Sequence, residues 1–169
     1  MIGLLALLAL LLCAQAAEAV SIFIDKSDRS LELRRGAEVL ARYPVALGDP
    51  LGDKVREGDR KTPEGRFVVV TRNDRSQFHR FLGLSYPNAE DAARGLRDGL
   101  IGASEARRIE EAIAAGRQPS WSTALGGAVG IHGGGTGSDW TLGCIALDNV
   151  HIDALWPLVP IGTVVWIQE

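Results

Sequence analysis

Apolar and polar residues alternate through the first half of the chain. Residues 21–25 and 30–34 show the period of two that is typical of half-buried β-strands, and the polar residues between them predict a turn. Related patterns predict further strands at 39–47, 66–71 and 78–86, and a strongly apolar strand at 163–167. A run of short strands of this kind favours an all-β sandwich or barrel.

Two later segments have helical signals instead. Ser104 is in position to N-cap a segment at 105–115 that is rich in Ala, Glu and Arg and ends at a glycine. Residues 148–158 carry apolar side chains at helical spacing, with Asp148 or Asn149 as the cap. The sequence therefore predicts a mainly β fold with a few peripheral helices.

Residues 1–19 have the composition of a secretory leader. They contain a leucine-rich run at 4–12 and end in two Ala-x-Ala sequences that fit a cleavage site. The run is shorter than the roughly 20 residues that span a membrane, which predicts a signal peptide at 1–19. A single domain at 20–169 would then be exported to the periplasm or cell envelope. Because no Lys or Arg precedes the run, an uncleaved membrane anchor is the alternative.

Charge limits the choice of partners. The chain has 18 Lys and Arg residues against 21 Asp and Glu residues, and loss of the leader would remove one acidic residue, Glu18. Because the numbers of basic and acidic residues are nearly equal, the protein has no basic surface field that would attract nucleic acid. The length suits one domain with its own hydrophobic core, and no internal repeat, charge block or long linker divides it.

Only two cysteines are present, and loss of the leader would remove Cys13. Cys144 would then have no partner for an intramolecular disulfide, although exported proteins live where disulfides persist. The residue is either a small buried hydrophobe or a reactive thiol. His132, twelve residues earlier, favours the hypothesis of a reactive thiol, because an adjacent imidazole activates a thiol and can protonate a leaving amine. Two neighbouring strands joined by the loop 133–143 would bring the two side chains together.

Gly143 directly precedes this cysteine. A glycine lets the backbone turn sharply and approach a substrate closely. The main-chain N–H groups of residues 142–144 would then point at a developing oxyanion, with a contribution of roughly 3 to 4 kcal/mol per donor. A β-bulge or simple turn at Gly143 is the alternative.

These residues carry a resemblance to a known family. His132-Gly133 followed by Thr141-x-Gly143-Cys144-Ile145 resembles the active-site signature of the YkuD-type L,D-transpeptidases, cysteine enzymes that cross-link peptidoglycan. Upstream segments at 43–48, 58–65 and 85–88 resemble other blocks of that family in the expected order. The resemblance spans nearly the whole domain.

The resemblance implies a YkuD-like β-sandwich with the cysteine facing a cleft, and no metal or organic cofactor. Cys144 would attack the bond between the third-position diamino acid and the fourth-position D-alanine of a peptidoglycan stem peptide, and His132 would protonate the departing D-alanine. The thioester would pass to an amine of a second stem peptide, giving a 3-3 cross-link, or to another acceptor. With water as the acceptor, the enzyme would be an L,D-carboxypeptidase.

Two positions depart from the common pattern of the family. Most members have serine three residues before the cysteine and arginine two residues after it, whereas this chain has Thr141 and Ala146. Thr141 keeps the hydroxyl, but Ala146 removes a cation that grips carboxylates bidentately. The Gly-Cys-x-Ala form is similar to a sub-branch that includes peptidoglycan-lipoprotein amidases. Transfer and hydrolysis therefore both stay open, and a wall-attached lipoprotein is a possible partner.

The remaining candidate residues each have a structural alternative. We expect substrate contacts from Trp140, Thr141, Gly133, Tyr86 and Asn149. Tryptophan and tyrosine equally serve as core anchors, and asparagine equally caps a helix.

Two other classes of protein compete with a cysteine enzyme. A zinc peptidase would need ligand spacings such as H-x-x-x-H or C-x-x-C, which the sequence lacks. A wall-binding module with an inert thiol is the third hypothesis. The glycine-rich stretch at 133–137 is not followed by the Gly-Lys-Ser/Thr of a phosphate loop.

Overall fold

The computed structural model describes residues 18–169. The predicted signal peptide falls almost entirely outside these described residues. Within them, no helix is both long and apolar enough to cross a membrane.

The described chain forms eight strands, three α-helices and one short 3₁₀ helix. The strands are β1 (Val20–Asp25), β2 (Ser30–Arg35), β3 (Glu38–Pro44), β4 (Gly65–Ser76), β5 (His79–Leu84), β6 (Gly130–His132), β7 (Ile145–Ala146) and β8 (Val164–Gln168). The helices are α1 (Ala89–Arg97), α2 (Ala103–Ala114) and α3 (Asn149–Leu155), the last continued by the 3₁₀ turn Trp156–Leu158.

All eight strands join one hydrogen-bonded sheet in the order β3-β2-β1-β8-β4-β5-β6-β7. The long strand β4 links its two halves, since Gly65–Val68 pairs with β8 whereas the later residues pair with β5. Beyond β3, the backbone of Ala46 exchanges two hydrogen bonds of 2.9 and 2.8 Å with Ala146 of β7. The two ends of the strand order therefore meet, and the sheet closes around its core.

One apolar core fills the closed sheet. It takes Ile22 from β1, Leu33 from β2 and Val165 from β8, together with Leu82 from β5 and Ile131 from β6, and each of these side chains is fully buried. Burial on alternate positions explains the period of two in the sequence. Helices α1 and α2 lie outside this core and pack on each other through a smaller cluster around Ile101, Ile109 and Leu125.

The mainly β fold with peripheral helices is confirmed, and most predicted strands lie where expected. Strand β4 continues five residues beyond the predicted end at 71 because polar residues carry it into a hairpin with β5. Strand β3 ends at Pro44 rather than at 47, since the following residues turn toward β7.

The helices required two corrections. Ser104 is not a cap, because α2 begins one residue before it with Gly102 as N-cap, and the Glu105 carboxylate accepts a hydrogen bond from the Gly102 N–H. Helix α1 was not predicted at all. Its cap is Asn88, whose side chain accepts hydrogen bonds from two backbone N–H groups of the first turn.

Candidate active site

Strands β6 and β7 bring His132 and Cys144 to the same cleft. The two strands pair in parallel, with Ile131 opposite Ile145 and His132 opposite Ala146. Cys144 directly precedes β7, one residue before the Ile131–Ile145 pair, so the loop 133–143 returns the thiol to the cleft that His132 also lines. The partly buried Cys144 Sγ lies 3.5 Å from the carbonyl oxygen of Ala128.

The imidazole of His132 is held in a single orientation. Its Nδ1 lies 2.5 Å from the carbonyl oxygen of Gly133, so Nδ1–H donates to this carbonyl and Nε2 keeps a lone pair. Phe78 stacks on the ring at a centroid distance of 4.6 Å, and Trp140 approaches its edge at 5.6 Å. A backbone carbonyl thus does the orienting that a carboxylate does in other catalytic sets.

Burial keeps both groups neutral in the resting site. It lowers the pKa of His132, an effect that the hydrogen bond to Gly133 partly opposes. Burial also raises the pKa of the Cys144 thiol to about 11, with smaller opposing contributions from a backbone hydrogen bond at Gly130 and then from the charge of Lys54. The arrangement therefore favours a neutral thiol beside a neutral base over a preformed thiolate-imidazolium pair.

The backbone at Cys144 is fixed by two hydroxyl groups and a glycine. The Thr141 hydroxyl donates to the Cys144 carbonyl at 2.7 Å, and Thr62 approaches the same oxygen at 3.4 Å. Gly143 has a φ of +129°, and a Cβ there would lie 2.8 Å from the carbonyl oxygen of Lys61. Only glycine fits this position without strain.

The expected oxyanion donors at 142–144 are partly engaged. The N–H of Gly143 donates to the Thr141 hydroxyl at 3.2 Å. The N–H groups of Leu142 and Cys144 are the other two members of the predicted set, and they remain available as oxyanion donors. The predicted set of three is thus reduced to two in this geometry.

A buried ion pair holds the turn that packs against the site. The Lys54 ammonium lies 2.8 Å from the Asp59 carboxylate and also donates to the carbonyl of Arg56. Burial raises the pKa of Asp59, but hydrogen bonds from Lys54 and from three backbone N–H groups outweigh it, so the pKa is lowered overall. The pair fixes the turn that delivers Lys61 to the back of Gly143.

The cleft has two lobes that meet at Cys144 and His132. The first, here the hairpin lobe, has a volume of about 530 Å³ and lies between the β4–β5 hairpin and a wall formed by Gln118 and Trp121. The second, the Trp140 lobe, has a volume of about 450 Å³ and is lined by residues 127–129 and 140–143. Both are large enough to hold part of a peptide.

Comparison with known proteins agrees with this geometry. A family model described as the YkuD L,D-transpeptidase catalytic domain matches residues 19–167. The chain belongs to this family.

Relatives of this YkuD domain include enzymes and cell-shape proteins. "Putative L,D-transpeptidase YafK" from Escherichia coli (strain K12) is 37% identical over 84 residues, which are 45% of this chain and 34% of the relative. Among solved structures, the helical cell shape determining protein Pgp2 from Campylobacter jejuni has a TM-score of 0.63 at 19% sequence identity. The match covers 91% of this chain and 49% of the Pgp2 chain. An L,D-transpeptidase from Xylanimonas cellulosilytica has a TM-score of 0.52 at 17% identity over 91% of this chain and 62% of its own. The structural matches show a shared fold, and the YkuD domain spans only part of each relative.

The expected substrate-contact residues of this YkuD domain divide into two groups. Trp140 and Thr141 line the Trp140 lobe, and contact of these two side chains with a substrate stays a prediction. Tyr86 does not reach the cleft, because its ring is fully buried and its hydroxyl donates to the carbonyl of Leu125 at 2.8 Å. Gly133 and Asn149 lie behind the catalytic loop, where the Asn149 side chain accepts a hydrogen bond from Gly134 N–H. They position backbone rather than line the cleft.

Several residues that shape the YkuD site were not predicted from the sequence. Phe78 and Lys54 gave no signal, since one appears as a strand residue and the other as an ordinary surface lysine. Thr62 belongs to the segment 58–65 that resembles a block of the family, and its hydroxyl accepts a hydrogen bond from Gly48 N–H and lies 3.4 Å from the Cys144 carbonyl oxygen. Among residues 18–169, no group of three or more His, Cys, Asp or Glu side chains is placed to hold a metal ion.

Proposed function

We propose that this YkuD-family domain is a cysteine-dependent L,D-transpeptidase that acts on peptidoglycan stem peptides. The observation that carries the proposal is the shared cleft of Cys144 and His132, in which the carbonyl of Gly133 fixes the imidazole with Nε2 available as a base.

The first half-reaction forms a thioester. His132 Nε2 takes the proton of the Cys144 thiol as the sulfur attacks the carbonyl carbon of the third-position diamino acid. The bond from this carbon to the D-alanine nitrogen then breaks, and His132 returns the proton to the departing amine. The raised pKa of the thiol and the lowered pKa of the imidazole restrict this proton transfer to the reacting complex.

Backbone N–H groups stabilise the charge that develops on the carbonyl oxygen. Leu142 and Cys144 supply the donors, because Gly143 N–H is bound to the Thr141 hydroxyl. This hydroxyl also donates to the Cys144 carbonyl, so it holds the peptide that follows the nucleophile and the peptide that joins Leu142 to Gly143. Donors held in place before the reaction need no reorganisation during it.

The second half-reaction selects the acceptor. An amine of another stem peptide attacks the thioester, passes its proton to His132 and releases the Cys144 thiol, leaving a 3-3 cross-link or a bond to another acceptor. Water in place of the amine gives an L,D-carboxypeptidase, and the same cysteine and histidine would serve a peptidoglycan-lipoprotein amidase.

Mass spectrometry of the products tests the proposal. Purified protein is incubated with a stem tetrapeptide, with and without an acceptor peptide. We expect release of D-alanine and an acyl-enzyme adduct on Cys144, with peptide dimers in the case of transfer and tripeptides in the case of hydrolysis. Cys144→Ala should abolish all products while its circular dichroism and thermal unfolding match those of the wild type. Full activity in that variant would contradict the proposal.

The site of action is proposed to be the cell envelope. The leader at 1–19 and the peptidoglycan substrate both support an exported protein. N-terminal sequencing of protein purified from an envelope fraction should begin near residue 20, whereas an intact leader would indicate a membrane anchor.

A further inference from the structure

The cleft has a marked imbalance of charge. Among the described residues that line its two lobes, Arg75 is the one Lys, Arg, Asp or Glu side chain. The other polar lining residues of the hairpin lobe are neutral amides and hydroxyls, apart from the catalytic pair. A fixed positive charge therefore lies in the same lobe as the nucleophile.

Strand geometry directs Arg75 into the cleft. Alternate residues of β4 face the same side, and Thr71, Asn73 and Arg75 all line the hairpin lobe. Arg72 lies on the opposite face, where its guanidinium stacks on the Trp156 ring at 4.1 Å and donates to the Trp156 carbonyl. The two arginines of this strand thus have different environments.

The Arg75 guanidinium is unpaired within the described part of the chain. Its backbone N–H donates to the Asn73 side chain at 2.9 Å, but within residues 18–169 its guanidinium makes no ion pair or hydrogen bond. Arg80 and Arg94, by contrast, are each paired with a carboxylate at 2.6 Å. The Arg75 side chain is exposed at the mouth of the lobe and is free to bind an external anion.

We propose that Arg75 is a specificity-determining residue that binds a carboxylate of the peptide substrate, an inference that rests on the proposed function. A guanidinium recognises a carboxylate through two parallel hydrogen bonds, and such a contact needs no protein partner. Position 146, where a family pattern would place a cation, holds an alanine that is fully buried in β7. Arg75 supplies a positive charge to the cleft from the β4–β5 hairpin.

Two carboxylates of a stem tetrapeptide belong to the residues that the scissile bond joins. One is the terminal carboxylate of D-alanine, and the other is the side-chain carboxylate of a diamino acid such as diaminopimelate. Both have the chemistry that Arg75 recognises, and amidation of each in turn distinguishes them.

Steady-state kinetics on three peptides test the inference. The peptides are the unmodified tetrapeptide and two forms with one of these carboxylates amidated, and product release is followed by mass spectrometry. Arg75→Gln should raise KM for the unmodified peptide about ten- to a hundredfold and leave kcat near the wild-type value. Amidation of the contacted carboxylate should raise the wild-type KM similarly, and on that peptide Arg75→Gln should cause no further loss. Arg75→Lys should fall between the two proteins.

Two controls separate specificity from folding and net charge. Arg107→Gln removes the same charge from an exposed position on α2, outside the cleft, and should leave KM unchanged. The rate of Cys144 alkylation by neutral iodoacetamide should be equal in the Arg75→Gln variant and the wild type.

Binding measurements keep the inference independent of turnover. Calorimetric titration of the same peptides into Cys144→Ala, with and without Arg75→Gln, gives the comparison even if no product forms. An absence of product with the wild type would contradict the proposed function alone. An unchanged affinity after Arg75→Gln, or an equal loss on all three peptides, would overturn the role of Arg75.

Discussion

Two neutral groups share the catalytic cleft, and their protonation states depend on the same burial. The Cys144 thiol has a pKa raised to about 11, and the pKa of His132 is lowered. Only a small fraction of the thiol, about one part in ten thousand at pH 7, is therefore ionised in the free enzyme. In the proposed mechanism, substrate binding or the attack itself drives the transfer of the proton.

Alkylation kinetics report this resting state. Because iodoacetamide reacts with the thiolate, its rate constant with Cys144 should keep rising with pH through 9 and reach its midpoint near 11, above the value of about 8.5 for an ordinary cysteine. His132→Gln should shift the midpoint little. A rate that is constant between pH 6 and 9 and is lost in the histidine variant would reveal a preformed ion pair.

Gly143 is a second single residue on which the geometry of the site depends. We expect Gly143→Ala to lower the free energy of unfolding by about 2 kcal/mol, from the strain of a positive φ and the contact with the Lys61 carbonyl, and to abolish activity by displacing Cys144. Gly137→Ala in the same loop is the matched control, since a Cβ there meets no atom within 4 Å. Urea denaturation should place the control within about 0.5 kcal/mol of the wild type. Equal effects at the two positions would contradict this account.

At the scale of elements, the two long helices begin in different ways. Helix α1 has a capping box, in which the Asn88 side chain accepts from Glu90 and Asp91 N–H while the Asp91 carboxylate accepts from Asn88 N–H. Helix α2 starts at Gly102 without a side-chain cap. The start of α1 therefore depends on the Asn88 and Asp91 side chains, whereas at α2 the Glu105 carboxylate accepts from the Gly102 N–H and Ser104 takes no part.

Substitution by alanine should separate the two helix starts. Asn88→Ala should lower the free energy of unfolding by about 1 kcal/mol because two N–H groups of α1 lose their acceptor. Ser104→Ala should be neutral or stabilising by a few tenths of a kcal/mol, since Ser104 is exposed inside α2. The two values come from urea denaturation monitored by circular dichroism, and a larger loss at Ser104 would restore it as the cap.

These elements show which parts of the fold and of the site could be predicted from the sequence. Strands β1 and β2 were predicted almost to the residue because apolar and polar residues alternate in both, although Glu32 of β2 is buried too and is paired with Arg34 and Arg42. Helix α1 was missed since its few buried positions, Asp91 and two small residues, give no apolar stripe. In the site, the loop 133–143 predicted the meeting of His132 and Cys144, whereas Phe78, Lys54 and Arg75 reach it only through sheet pairing and chain folding that no local pattern encodes.

At the scale of the whole molecule, buried lysines fasten the long segment between β3 and β4. Lys26 of the first turn, almost fully buried, reaches the Glu64 carboxylate at 2.6 Å and two backbone carbonyls. Lys54 pairs with Asp59 within the segment. Removal of one member of such a pair leaves a buried charge uncompensated, which is costly.

The Asp59 pair should make stability depend on pH. Because the pKa of Asp59 is lowered in the folded protein, its stabilisation is complete above the ordinary aspartate pKa of about 4 and is lost as the pH falls through the folded value. Asp59→Asn should therefore reduce the free energy of unfolding at pH 7 and flatten its decline below pH 4. Urea titrations between pH 2 and 7 check this, and parallel curves for the two proteins would exclude the carboxylate as a source of acid sensitivity.

The position of β8 has a consequence for the newly made chain. This strand, the last in sequence order, lies between β1 and β4, which are the first strand and the central strand of the sheet. A ribosome-bound chain therefore exposes two unpaired sheet edges until β8 emerges, and such edges promote aggregation. Pairing across so great a sequence distance also slows folding. Holding chaperones are thus expected to matter for the folding of this domain.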